Sequence, residues 1–179
     1  MKVLQKVVAV LLVTCLFVAC EPGYTPPPDW QKHENYQLKY TVYYPNGWKL
    51  SNQGNPDLLF YVSSPKTGEH DHIQENVNLL SQVVSPETDL ATYANEVEKK
   101  AGNQLVNLKK TASTEVEFKG FPAIFSTYEA QVNEIRVKWE QYTWLKDDRA
   151  YILTYSGDIS QFEVYRGLAT EIIESFRFY

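Results

Sequence analysis

The stretch from Leu105 to Ser156, "LVNLKKTASTEVEFKGFPAIFSTYEAQVNEIRVKWEQYTWLKDDRAYILTYS", decides the fold. It divides into four strand-like runs, "LVNLKKTASTEVEF", "PAIFSTYEA", "EIRVKWEQYTWLK" and "RAYILTYS", parted by polar joints at Lys119-Gly120, Val132-Asn133 and Asp147-Asp148. Joints this short connect antiparallel neighbours, because a parallel return needs a dozen residues or more. In the third run Ile135, Val137 and Trp139 share one face, while Tyr142 and Trp144 take the other parity. A bulge near Glu140 and Gln141 is therefore expected to restore a common apolar side.

Upstream, "LKYTVYY" places Leu38, Tyr40, Val42 and Tyr44 on one face of a strand that Pro45-Asn46-Gly47 then turns. "LLFYVSS" and "ENVNLLSQVV" read as further strands. In the second, Val77, Leu79 and Val83 face one side and Asn76, Asn78 and Gln82 the other, which predicts a sheet with one dry face. Asp89 is placed to cap a helix in which Leu90, Tyr93, Ala94, Val97 and Ala101 recur at three- and four-residue intervals, with Gly102 as a left-handed terminator. A last helix is expected from Ser160, with Ser160 and Glu163 forming a reciprocal capping box and Phe162, Tyr165, Ala169, Ile172, Ile173 and Phe176 forming an apolar stripe. The pattern predicts an α+β domain, a mostly antiparallel six- to seven-stranded sheet flanked by helices as an α/β/α sandwich.

The N-terminus carries a different message. "MKVLQKVVAVLLVTCLFVAC" sets Lys2 and Lys6 before an apolar run from Val7 to Ala19 that is short for a bilayer span, so it reads as an export signal. Its end, "LFVAC", resembles the lipobox of bacterial lipoproteins, in which a small residue precedes a cysteine that receives diacylglycerol before cleavage. Ala19 and Cys20 fit that pattern; Phe17 stands where leucine is usual, with Leu16 one place back. The expected organisation is a signal peptide at 1–19, a lipidated cysteine and proline-rich tether at 20–34, and a domain at 35–179. Pro26, Pro27 and Pro28 favour an extended tether, with His33 solvated within it, holding the domain roughly 30 to 40 Å from the bilayer at about 3.1 Å per residue. Cleavage before Cys20 removes Lys2, Lys6 and Cys15, leaving 15 basic against 22 acidic residues and no second cysteine for a disulfide or a cysteine-based zinc site. A net negative chain lacks the basic face that nucleic acid demands, so no nucleic-acid partner is expected.

"YPNGW" near the start of the domain, "ENVNLLSQVVSPETDLATYA", a strand pair containing "YILTYS" and the closing "IIESFRF" together resemble the PsbP-like family, over roughly residues 35 to 179. That family includes the extrinsic P subunit of photosystem II, lipoprotein relatives in cyanobacteria and bacterial lipoproteins grouped with DcrB-like proteins. The resemblance implies an antiparallel sheet sandwiched by helices and, from the photosynthetic members, a protein held at a membrane surface that assists assembly or cofactor retention. No stretch here marks binding to photosystem II, and a shared fold does not carry function with it.

Candidate sites are few. In "YYPNGW" the turn backbone falls to Asn46-Gly47 and Trp48 is expected to close the core over Tyr44; Tyr43, on the opposite parity, and Trp48 are the aromatics available for partner binding. "GEHDHIQE" gathers Glu69, His70, Asp71, His72 and Glu75 between two strands. His70, Asp71 and His72 are the candidate ligands for a divalent metal, set against the preferred reading of a solvated polar loop. Glu115, Glu117, Asp147 and Asp148 fit hairpin tips and outward faces. With no nucleophile elbow, no phosphate-cradling glycine loop and no cysteine left after maturation, no enzyme activity and no cofactor beyond the diacylglycerol on Cys20 is expected. The sequence thus predicts a lipid-anchored accessory protein of the bacterial cell envelope, at the outer membrane or cell surface and facing away from the cytoplasm. It would bind or help assemble a larger protein partner; the alternative is a small-ligand or metal-binding lipoprotein.

Overall fold

The computed structural model describes residues 24–51, 54–69 and 71–179. Cys20 and the export signal, and His70, lie outside them. The elements run β1 (Trp30–Asn35), β2 (Tyr40–Pro45), β3 (Lys49–Ser51), β4 (Leu58–Ser63), β5 (Asn76–Val83), α1 (Leu90–Gly102), β6 (Val106–Phe118), β7 (Phe121–Val132), β8 (Ile135–Lys146), β9 (Arg149–Asp158), α2 (Phe162–Ser175) and β10 (Arg177–Phe178). Seven strands form one antiparallel sheet in the order β3-β4-β5-β9-β8-β7-β6, and β1-β2-β10 form a second, three-stranded sheet. The α+β architecture is as the sequence predicts; the small second sheet is an addition to it.

Turn chemistry fixes the meander. Lys119 and Gly120 both have positive φ (54° and 81°), as do Asn133 and Glu134 (47° and 68°), the backbone that two-residue hairpin turns need to match strand twist. The second joint is therefore Asn133-Glu134, one residue beyond the expected position. At the turn from β2 to β3, where the chain passes from the small sheet to the large one, the Trp48 N–H donates to the Pro45 carbonyl (3.1 Å) with Gly47 at φ +99°, as the third position of a type II turn requires.

The bulge expected near Glu140 and Gln141 is absent. β8 pairs without interruption from Ala123↔Trp144 to Val132↔Ile135 on one side and from Val137↔Asp158 to Lys146↔Arg149 on the other. No correction of parity is needed, because β8 buries side chains on both faces of the sheet. Tyr142 and Trp144 point into the main core with α2, whereas Val137, Trp139, Gln141 and Thr143 point to the α1 side. The single dry face expected from β5 is corrected on the same ground. Val77, Leu79 and Ser81 are buried, Leu80 packs into a second, smaller core under α1 with Tyr93, Ala150 and Ile152, and Val83 is 68% exposed at the strand end.

The main core unites Tyr40, Val42 and Tyr44 of the small sheet, Phe60, Val77, Leu79, Leu153 and Tyr155 of the large one, and Phe162, Ala169, Ile172 and Ile173 of α2. The predicted α2 stripe is this buried face. Its capping differs: Gln161 is the N-cap without a side-chain bond, Ser160 bonds to Asp158 through both N–H and hydroxyl, and Glu163 pairs with Lys138 at 2.8 Å. A carboxylate two residues upstream and a cation from β8 outcompete the local box. α1 is capped by Asp89, which accepts from the Thr92 N–H at 2.8 Å. It ends through Asn103 in right-handed geometry, not through a left-handed Gly102, since the N–H groups of Asn103, Gln104 and Leu105 already satisfy its last carbonyls.

The domain begins before Asn35. Trp30–Asn35 is strand β1, registered from Trp30↔Pro45 to Asn35↔Tyr40, and Trp30 packs against the main core. His33 is not solvated: its ring lies 5.9 Å from that of Tyr40 and 6.2 Å from that of Phe60, and burial lowers its pKa from the ordinary imidazole value. Proline does not keep the chain free here, because a turn from the Pro27 carbonyl to the Trp30 N–H (3.1 Å) returns it to the sheet.

Candidate functional site

α1 is 13 residues long, about 20 Å at 1.5 Å per residue. Seven strands span roughly 29 Å at about 4.8 Å between neighbours, so one such helix leaves part of the α1 face of the sheet uncovered. That part is an open groove of about 520 Å³. Val97 of α1 and the following Leu105 form one wall, Tyr61 of β4 and the segment His72–Gln74 the other, and β5, β7, β8 and β9 the floor.

The sheet face is built as rungs. Strand register sets Tyr61 opposite Asn78, Asn78 opposite Thr154, Thr154 opposite Gln141, Gln141 opposite Ser126 and Ser126 opposite Ser113, a line of hydrogen-bonding side chains across six strands, of which Tyr61, Thr154 and Gln141 line the groove. Local bonds hold them in place: Asn78 Nδ2 and Ser156 Oγ both donate to Asn76 Oδ1 (2.9 and 3.2 Å), Gln141 Nε2 donates to Thr143 Oγ1 (3.3 Å), and the Ser113 and Ser126 hydroxyls meet at 3.1 Å. Next to this line Trp139 stacks on Tyr128, with centroids 5.1 Å apart and planes 19° from parallel. Apolar Val132, Val137, Leu80 and Ile152 complete the lining. The groove can thus offer hydrogen bonds from its centre and apolar contact from its edges, the composition of a binding site.

The "EHDH" loop borders this groove and a second, polar recess of about 320 Å³. Asp71 is engaged within the loop, where its carboxylate accepts from the Thr67 N–H (2.9 Å) and hydroxyl (3.3 Å). His72 is exposed and lines both recesses. Among the described residues no group of three or more His, Cys, Asp or Glu side chains is placed to hold a metal ion.

Glu75 is the unusual carboxyl here. It is 2% exposed, and Oε2 accepts from the Ser64 hydroxyl at 3.2 Å. Gly157 of β9 makes room for it, since a Cβ there would stand 2.7 Å from Glu75 Cγ. Burial raises its pKa above the ordinary carboxylate value, and the charges of Asp71 and Asp158 add to that, while a backbone bond and the Ser64 bond oppose it. A carboxyl that holds its proton more tightly when folded destabilises the fold above its folded pKa, and this cost disappears as pH falls through that value. Glu75→Gln is therefore expected to raise the melting temperature at pH 7 and to leave it unchanged near pH 4, measured by thermal melts across that range.

Of the two aromatics expected to be available to a partner, Trp48 is not: it is 6% exposed and packs edge-on to Tyr165 at 6.3 Å. The turn delivers it into the core, as the structural reading of "YYPNGW" requires. Tyr43 keeps the outward parity but is half-buried beneath Tyr24, with ring centroids 5.7 Å apart. The groove itself was not read from sequence. Polar alternation in "NVN", "WEQYT" and "LTYS" looks like an ordinary solvent face, and only tertiary structure places it beside α1.

No protein-family model matches the chain, and no curated protein is significantly similar to it. Solved structures are. Cyanobacterial PsbP (CyanoP) from Synechocystis sp. PCC 6803 superposes with a TM-score of 0.61 at 15% identity, covering 89% of this chain and 98% of that one. LpqN, described as involved in cell envelope biogenesis of Mycobacterium tuberculosis, gives 0.62 at 13% identity over 87% and 98%. The Saccharomyces cerevisiae Ran-binding protein Mog1p gives 0.57 at 14% over 83% and 95%. The chain has the PsbP-like fold. At these identities the likeness concerns the fold alone.

Proposed function

We propose that the protein is a lipid-anchored, extracytoplasmic accessory protein, without catalytic activity or bound cofactor, that binds or helps assemble a larger protein partner at a bacterial membrane surface. The observation that carries this reading is the open groove beside α1, lined by polar Tyr61, Asn76, Gln141, Thr154 and Ser156 among apolar side chains. An open trough of alternating hydrogen-bonding and apolar positions suits an extended segment of another chain. The lipobox at Cys20 supplies the membrane, and the cell-envelope role stated for LpqN and the Ran binding stated for Mog1p support a binding role for the scaffold. A small ligand is the second reading, favoured by a groove volume within the range of small-molecule sites.

A photo-crosslinking residue at Trp139, introduced into the intact lipoprotein in cells, tests the proposal. One discrete protein adduct is expected, falling at least tenfold when Thr154→Arg places a long charged side chain in the floor; a melting curve checks that the fold is kept. Adducts that are absent, or that Thr154→Arg leaves unchanged, reject the groove as the partner site.

A further inference from the structure

The outer face of the small sheet carries an aromatic surface that the groove does not use. Tyr40, Val42 and Tyr44 point into the core, so Lys32, Tyr43 and Arg177, which share the opposite parity in register, point away from it. Tyr24 lies over this face, its ring on Tyr43 and beneath the Arg177 guanidinium, which stands 5.0 Å from the ring centroid. Beside them Glu34 accepts from Lys32 at 2.8 Å and from the Tyr36 hydroxyl at 3.3 Å. Tyr36 and Tyr179 are 76% and 56% exposed, and both hydroxyls interact with that same Glu34.

Chain length places this face. Tyr24 stands four positions after Cys20, at most about 14 Å of fully extended chain, and from Tyr24 onward the chain is docked on the sheet. We propose that the face bearing Tyr24, Tyr36, Tyr43 and Tyr179 is a docking surface for the phospholipid bilayer that holds the anchor. This rests on the lipid-anchor reading of Cys20 given above. Tyrosine, with an apolar ring and a polar tip, favours the headgroup level of a bilayer, and lysine and arginine stems extend along the same boundary. Glu34 is matched by Lys32, and Glu171 and Glu174 lie near Tyr24, so attachment depends on the tyrosines more than on net positive charge. The main sheet then stands one layer further out, and the groove on its opposite face opens away from the membrane. A partner would reach it from the aqueous side.

The test uses full-length lipoprotein, its lipid confirmed by intact mass, in phosphatidylethanolamine–phosphatidylglycerol vesicles containing a headgroup energy acceptor. A fluorophore is attached at Gln37→Cys, beside Tyr36, or at Asn95→Cys on the exposed side of α1. Energy transfer from position 37 is expected to exceed that from position 95 at least twofold. The difference should collapse in Tyr36→Ser/Tyr179→Ser, two exposed changes whose melting curve should match the parent. Equal transfer from the two positions, or a difference that survives the double substitution, overturns the docking face. A mass without lipid instead rejects the anchor reading; the same measurement is then made on chain coupled through Cys20 to a maleimide lipid, where equal transfer again overturns the docking face.

Discussion

Trp144→Ala is expected to destabilise the domain by about 3–5 kcal/mol, the range for removing a large buried aromatic, and to leave a chain this size close to unfolding. Trp144 is 0% exposed near the C-terminal end of β8. Its ring stacks on Tyr151 with centroids 5.3 Å apart and planes 10° from parallel, and it meets Phe118, Phe176 and Phe178 at 5.2, 5.9 and 6.4 Å. Across the other ladder stands Ala123, whose small side chain leaves the space that the indole fills. These contacts join the middle of the large sheet, the end of α2 and β10, so truncation opens a cavity that no single neighbour can collapse into. The indole Nε1 has no hydrogen-bond partner among the described residues. Trp144→Phe removes that buried donor along with part of the ring, so it should cost distinctly less than the alanine change. Chemical denaturation of the three proteins measures the order; a loss as large for Phe as for Ala would show that shape alone governs the site.

Cys20→Ala is expected to abolish lipid incorporation and block cleavage of the signal, an all-or-none effect on processing. The modifying enzyme acts on the thiol, and alanine offers no nucleophile. The domain should fold unchanged, because β1 begins at Trp30, ten residues on. Two acyl chains give durable membrane attachment where one gives only marginal binding, so loss of the diacylglyceryl group removes the lipid component of attachment. Palmitate labelling and intact mass of wild type and variant decide the matter; identical mass and processing in the two would reject the lipobox reading.

The two predictions draw on different layers of the molecule, and those layers were unequally legible in the sequence. Local signals read well. Asp89 caps α1, the pairs at Lys119-Gly120 and Asp147-Asp148 mark hairpins, and the Phe162–Phe176 stripe is the buried face of α2, each specified by residues within a turn or two of one another. Signals that depended on distant neighbours misled. Glu163 resembled half of a capping box until Lys138 of β8 took its carboxylate. The two parities of β8 resembled a bulge because a strand covered on one face cannot bury both. Trp48 and Tyr43 could not be ranked as binding residues without knowing that α2 presents Tyr165 to the first and the upstream chain lays Tyr24 on the second.

The sequence by itself determined the antiparallel meander, the two helices and their apolar faces, and the expectation of an anchor at Cys20, since periodicity, turn residues and a short contiguous motif act over a few residues. Tertiary structure alone decided that both faces of the large sheet bury side chains, that Trp30 and His33 belong to a second sheet, that Glu75 is buried against Gly157, and that Tyr61, Gln141 and Thr154 from three strands line one groove. Each of these follows from which strands become neighbours and where a 13-residue helix stops short. Neighbour choice is settled by the burial of whole surfaces, a quantity that no local run of residues carries.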